Sequence, residues 1–186
     1  EPEPDGLRLD FQDGLNVRTV YAKRRPLGIK HNFVAPIVAN DFTVNSYAKL
    51  DLGVKEGWKL RRIGQEELHD SNNFDEVNGM LCDYMKDFEL WPLPIDFRKS
   101  HNSAQAVTVE FRQRPIGIEF TNRAPIKVSK VYPGSPAQAA GVEPGWYVTR
   151  IGEMDVSRTA DFREVIGYFN EGVQPLDESG TILSPR

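Results

Sequence analysis

Short runs of alternating apolar and polar residues, broken every few positions by glycine or proline, dominate the chain. Thr108–Phe111 and Gly117–Phe120 flank Arg112-Gln113-Arg114-Pro115 and predict two strands. Ile126–Val131 predicts a third, stopped at Pro133-Gly134. Ser135-Pro136-Ala137-Gln138-Ala139-Ala140-Gly141 has a serine cap, a proline in the first turn and a glycine stop, which specify one short helix. Trp146–Ile151 predicts a further strand, turning at Gly152-Glu153. Asp161-Phe162-Arg163-Glu164 has the form of a capping box, and Asn73-Phe74-Asp75-Glu76 repeats it. Phe162, Val165, Ile166 and Phe169 then fall at helical spacing and predict a longer amphipathic helix.

The pattern occurs twice. Thr19-Val20-Tyr21-Ala22-Lys23-Arg24-Arg25-Pro26-Leu27-Gly28-Ile29 parallels Thr108 to Ile118, and Ala35-Pro36-Ile37 parallels Ala124-Pro125-Ile126, both 89 positions on. After one insertion near Leu50 the shift becomes 88, through Gly57-Trp58 and Gly145-Trp146, Phe74 and Phe162, and Gly79 and Gly167. A match of this length with one gap marks an internal duplication. Leu90–Arg98 is expected to close the first copy, and the polar stretch that follows to be a linker. The second copy has no obvious closing strand, Thr181-Ile182-Leu183 being the only candidate. Leu7-Arg8-Leu9-Asp10-Phe11-Gln12 resembles Pro94-Ile95-Asp96-Phe97-Arg98, which leads to the expectation that the chain opens on the end of a preceding unit, or lends that strand to the second copy.

Composition narrows the class. The 186 residues fit two domains of about 90 residues each, and 39% apolar content supports ordinary cores. The net charge of −4, with both signs interspersed, offers no basic field for nucleic acid. Cys82 is the only cysteine, which excludes a disulfide-built scaffold and favours an intracellular or organellar compartment. Cys82 itself is expected to be a small buried hydrophobe. His31, His69 and His101 lack zinc spacing, no apolar run approaches a membrane span, and no cofactor is expected. Glu1-Pro2-Glu3-Pro4-Asp5-Gly6 lacks the basic start and apolar stretch of a signal peptide and is expected to be a processed boundary. The chain has no nucleophile-elbow, metal or phosphate-loop motif, so it is expected not to be an enzyme.

Arg114-Pro115-Ile116-Gly117-Ile118 resembles the carboxylate-binding loop of PDZ domains, in which a basic residue precedes a hydrophobic–glycine–hydrophobic turn. Pro133-Gly134-Ser135-Pro136-Ala137 resembles the short helix of that family, and Gly145–Gly152 its next strand and turn, with Trp146 where aspartate is commoner. The first copy keeps the loop at Arg25-Pro26-Leu27-Gly28-Ile29, while its short helix has diverged to Asn45-Ser46-Tyr47-Ala48. The resemblance implies a mostly β, α+β chain of two PDZ-like, partly open barrels or sandwiches, each with one short and one longer helix. The expected boundaries are a tail over 1–14, a divergent domain over 15–99, a linker over 100–106, a second domain over 107–176 and a tail over 177–186.

The resemblance also implies a site. In the second copy the amides of Ile116, Gly117 and Ile118 would face a ligand carboxylate, with Arg112 or Arg114 adding charge. A peptide would add as a strand beside Ile118–Thr121, its last side chain held by Ile116, Ile118, Phe120 and Tyr168, with Val165 a further peptide-binding residue, and Asp161 would read the residue two before the end. The first copy's counterparts are Leu27, Gly28, Ile29, His31, Asn73, Val77 and Met80. The basic runs Lys23-Arg24-Arg25 and Lys59-Leu60-Arg61-Arg62 are expected to be solvated strand faces, so any membrane contact is weak or indirect. Trp58 and Trp146 are expected to pack as core aromatics. The function implied is capture of protein C-termini or extended segments, chiefly by the second copy. The alternative is a structural subunit that uses both folds as rigid blocks in a larger, membrane-associated organellar assembly.

Overall fold

The computed structural model describes residues 5–70, 72–158 and 161–178, and the chain divides into two units, Glu1–Trp91 and Pro92–Arg186. Its class is α+β and mostly β, with four α-helices and several small open sheets among the described residues.

The first unit runs β1 (Leu7–Asp13), β2 (Asn16–Ala22), β3 (Arg24–Arg25), β4 (Ile29–Lys30), β5 (Asp41–Phe42), α1 (Tyr47–Leu50), β6 (Lys59–Ile63), β7 (Glu66–Glu67), α2 (Phe74–Met85) and β8 (Glu89–Leu90). Gly14, at φ 60°, turns β1 into β2 through a two-residue loop, with Asp13 opposite Asn16. The main sheet is ordered β2-β1-β6-β7. Strand alternation puts Leu7, Leu9 and Phe11 on one buried face, where Trp58, Leu60, Ile63, Tyr47, Ala48, Val77 and Met85 join them in the core.

The second unit runs β9 (Leu93–Arg98), β10 (Val107–Phe111), β11 (Gln113–Arg114), β12 (Ile118–Phe120), β13 (Val128–Val131), α3 (Pro136–Ala139), β14 (Tyr147–Ile151), β15 (Met154–Asp155), α4 (Phe162–Val173) and β16 (Asp177–Glu178). Its main sheet is β10-β9-β14-β15, the counterpart of the first. Leu93, Ile95 and Phe97 of β9 are all fully buried. Trp58 and Trp146 both sit in the cores, with ring centres 6.1 Å from Phe11 and 5.7 Å from Phe97.

This connectivity moves the boundaries expected from sequence. Residues 93–98 do not close the first unit. They form the central strand of the second, paired with β10 on one side and β14 on the other. The likeness of Leu9-Asp10-Phe11 to Ile95-Asp96-Phe97 therefore reflects two equivalent opening strands. β1 pairs with β2 and β6 inside its own unit and is neither a relic nor lent to the second copy. Closure comes instead from two-residue strands: β8 pairs parallel to β3, and β16 parallel to β11. Asp177–Glu178 thus belongs to the second unit, while Thr181-Ile182-Leu183 lies outside the described residues. The polar stretch 99–106 is the connection between β9 and β10. These strands escape sequence reading because two residues carry no periodicity to detect.

The short helix survives divergence because its anchoring atoms do. Ser46 and Ser135 are both buried and both cap, accepting the amides of Lys49 and Gln138. Asn45, at φ 61°, stands in the left-handed conformation that Gly134 holds at φ 73°, a role asparagine tolerates better than most residues. The longer helices are capped by Asn73 and Asp161, but no reciprocal bond from Glu76 or Glu164 completes a box among the described residues. Glu164 instead accepts the Tyr168 hydroxyl one turn on.

Candidate functional site

The loop between β3 and β4 of the first unit is held entirely through its carbonyls. The Leu27 carbonyl accepts the Ala48 amide at 2.8 Å and the Ser46 hydroxyl at 3.2 Å, and the Gly28 carbonyl accepts the Thr43 amide at 3.0 Å. Among the described residues, no hydrogen bond takes up the amides of Leu27 and Gly28. Gly28 stands at φ 76°, and a Cβ there would lie 2.8 Å from Thr43 Oγ1 and 2.9 Å from Ser46 Cα, so both conformation and space require glycine. Two successive amide donors without a protein partner on a glycine turn are the kind of group that can receive an anion. The second unit repeats the frame: Ile116 and Gly117 carbonyls accept the Ala137 and Tyr132 amides, and Gly117 is at φ 83°.

Beneath the first loop lies a cavity of about 500 Å³. β4 and α2 form its walls, and its floor is Phe11, Ile37 and Leu60, residues at most 5% exposed. The helix presents Asn78, Leu81, Cys82 and Met85, spaced three and four apart and therefore on one face. Arg25 and Lys86 also line the cavity. Lys86 is exposed and makes no ion pair among the described residues. β4 pairs antiparallel with β5, Ile29 opposite Phe42 and Lys30 opposite Asp41.

His31 lines the same cavity. Its Nδ1 accepts the Phe33 amide at 3.1 Å, which places the proton of the neutral ring on Nε2. Burial holds its pKa below 6.5, so the ring is neutral at pH 7. Phe33 and Phe74 pack on it with ring centres 4.8 and 5.0 Å away.

The second unit differs at this place. Phe120 of β12 stands where the first unit has His31, and Phe169 of α4 where it has Leu81. Their rings meet edge to face at 4.9 Å, spanning the space between strand and helix. In the first unit His31 and Leu81 both line the cavity, whereas their counterparts in the second are aromatic rings in contact.

Several expected site residues take other places. Val77 and Val165 are buried in the cores, at 2% and 0% exposure, so the groove face of each long helix is one position further round than expected. Met80 packs against the core and is not among the cavity-lining residues. Tyr168 is engaged by Glu164. Asn73 and Asp161 are used as caps, accepting the amides of Glu76 and Arg163 at 2.9 Å. Arg112 pairs with Glu110. Arg114 donates to the Leu176 carbonyl at 2.9 Å and pairs with Glu178, as Arg25 donates to the Phe88 carbonyl at 2.8 Å. These two arginines staple the closing strands rather than waiting for a ligand. Ile116 is buried and Ile118 half-buried beside their loop. Leu27, Gly28 and Ile29 do line the cavity. Cys82 is exposed at the cavity wall, not buried as expected, because it shares the face of Asn78 and Met85 rather than that of Val77. Among the described residues no helix is long and apolar enough to cross a membrane, and no group of His, Cys, Asp or Glu is placed to hold a metal.

Compared with protein-family models, curated proteins and solved structures, the chain matches none.

Proposed function

We propose that the first unit is a non-enzymatic, PDZ-like peptide-capture module that binds the C-terminal end of a partner protein. The carrying observation is the apolar cavity of about 500 Å³ directly under a glycine turn with two free amides. A terminal carboxylate would sit on the Leu27 and Gly28 amides, with the Lys86 ammonium close by. The residues before it would run as an extended strand between β4 and α2, where backbone bonds supply affinity and the side-chain pocket supplies selectivity. An apolar last residue such as leucine or phenylalanine suits the floor of Phe11, Ile37 and Leu60.

Screening C-terminal peptides against the full chain tests the reading. A consensus with an apolar last residue is expected, and amidation of the terminus should weaken binding at least about tenfold, because the charged hydrogen bonds are lost. No consensus, or equal affinity for the amide, would overturn it.

The Phe120–Phe169 contact favours a second role for the second unit, as a structural block in a larger protein assembly. Peptides should then perturb resonances of the first unit alone.

A further inference from the structure

The cavity is larger than a peptide end requires. An apolar cavity on the order of 150 Å³ already holds a benzene ring, whereas this one is about 500 Å³ and reaches Phe11 and Leu60, each 1% exposed. A strand lying along β4 lowers one side chain into it and leaves the inner part unfilled. The buried residues that line it, Phe11, Leu27, Ile37, Leu60 and Met85, are all apolar, and their side chains offer nothing to satisfy a peptide backbone.

We propose that the first unit also binds a free medium-chain fatty acid, carboxylate at the Leu27–Gly28 turn and alkyl chain in the recess. The inference shares with the peptide reading the turn as an anion cradle, and departs from it in the ligand. Charge is arranged for such a molecule. The Leu27 and Gly28 turn and Lys86 line the same recess as the apolar side chains of Ile37, Leu60, Phe11, Leu81 and Met85. An unbranched chain carries no polar group past its head, so each methylene entering the recess leaves water without stranding a donor or acceptor. The polar side chains Asn78 and His31 also line the recess, but both are half-buried, whereas Phe11, Ile37 and Leu60 are buried. His31 is neutral at pH 7 and adds no charge. Occupancy by a fatty acid and by a peptide end would exclude each other, because both need the same two amides.

Amide and methyl NMR titrations of the full chain with butyrate, hexanoate, octanoate and 1-octanol decide the matter. Saturable shifts are expected at Gly28, Ile29, Leu81 and Met85. Kd should fall about 15-fold from hexanoate to octanoate, the effect of two buried methylenes. Octanol should bind at least about tenfold more weakly than octanoate, lacking the charged head. Leu81→Phe, which imports the ring that bridges the second unit, should abolish the shifts while second-unit resonances keep their positions. Absence of saturable binding, equal affinity for octanol, or equal shifts around Phe120 and Phe169 would overturn the proposal. A C-terminal peptide titrated in parallel separates the two readings. If the peptide binds and octanoate does not, the fatty-acid site alone is refuted. If neither binds, the loop is no anion cradle and both readings fall.

Discussion

Asp10 shows how a carboxylate can be placed inside a sheet. It is 6% exposed, accepts Arg8 at 2.9 and 3.0 Å and Thr19 at 2.7 Å, and lies 3.2 Å from Arg62. Burial raises its pKa, but the bonds from Arg8 and Thr19 and the charges of Arg8 and Arg62 outweigh it, leaving the group below 3.8. The native state therefore prefers the anion. Its contribution is complete above the unfolded carboxylate pKa and is lost as pH falls through the lower native value. His31 acts in the same direction at higher pH. Its native pKa is depressed, so the unfolded chain binds the proton first and stability falls as pH drops below 6.5. Urea midpoints of the first unit should thus decline in two stages, one below pH 6.5 that His31→Phe removes and one in the carboxylate range that Asp10→Asn removes. Asp10→Ala should cost on the order of 1–3 kcal/mol at pH 7, since Arg62 is left half-buried beside an empty site. The counterpart Asp96→Ala should cost less, because Asp96 is more exposed and its Arg150 contact is 3.9 Å. Sequence alone aligned Asp10 with Asp96 but could not show Arg62 and Thr19 as partners. They reach Asp10 from flanking strands.

Among the elements, the pair of β4 and α2 against β12 and α4 carries the main structural contrast between the units. In the first unit His31 meets Phe74 at the start of the helix and leaves the rest of the groove open. In the second, Phe120 meets Phe169 two turns along. Exchanging these residues should exchange the property. His31→Phe with Leu81→Phe should fill the first recess and remove peptide binding, with the fold intact by circular dichroism. Phe169→Leu should open the second groove at a cost of about 1 kcal/mol, the order of an aromatic pair, and confer measurable peptide binding on that unit. Unchanged binding in both variants would separate groove from function. Helical periodicity predicted both long helices, yet it misjudged their groove face by one residue. An amphipathic helix wedged between a core and a groove has two apolar sides, and Val77 and Leu81 differ only in which one they serve.

At the scale of the whole molecule, the duplication decides where the chain can be divided. β9 has a partner on each side, so a cut that removes it strips the second unit of its central strand. A fragment of residues 92–186 should unfold cooperatively in urea, whereas one of residues 100–186 should not. Deleting residues 1–13 should unfold the first unit and leave the melting of the second unchanged, because β1 belongs wholly to the first. Calorimetry of the three fragments checks both outcomes. Persistence of a cooperative transition in residues 100–186 would contradict the assigned boundary.

The repeat, the class, the positions of the helices and both glycine turns are legible in the order of residues alone. These depend on neighbours within a few residues: caps, turn glycines and the alternation of apolar side chains. That order did not determine to which unit residues 93–98 belong, since a strand carries the same alternation whichever partner it pairs with. Nor did it reveal how the two grooves differ. That difference lies in whether two rings on separate elements touch, as Phe120 and Phe169 do, or whether His31 and Leu81 leave a space between them. Only tertiary structure, which brings strand and helix side by side, decides a contact of that kind.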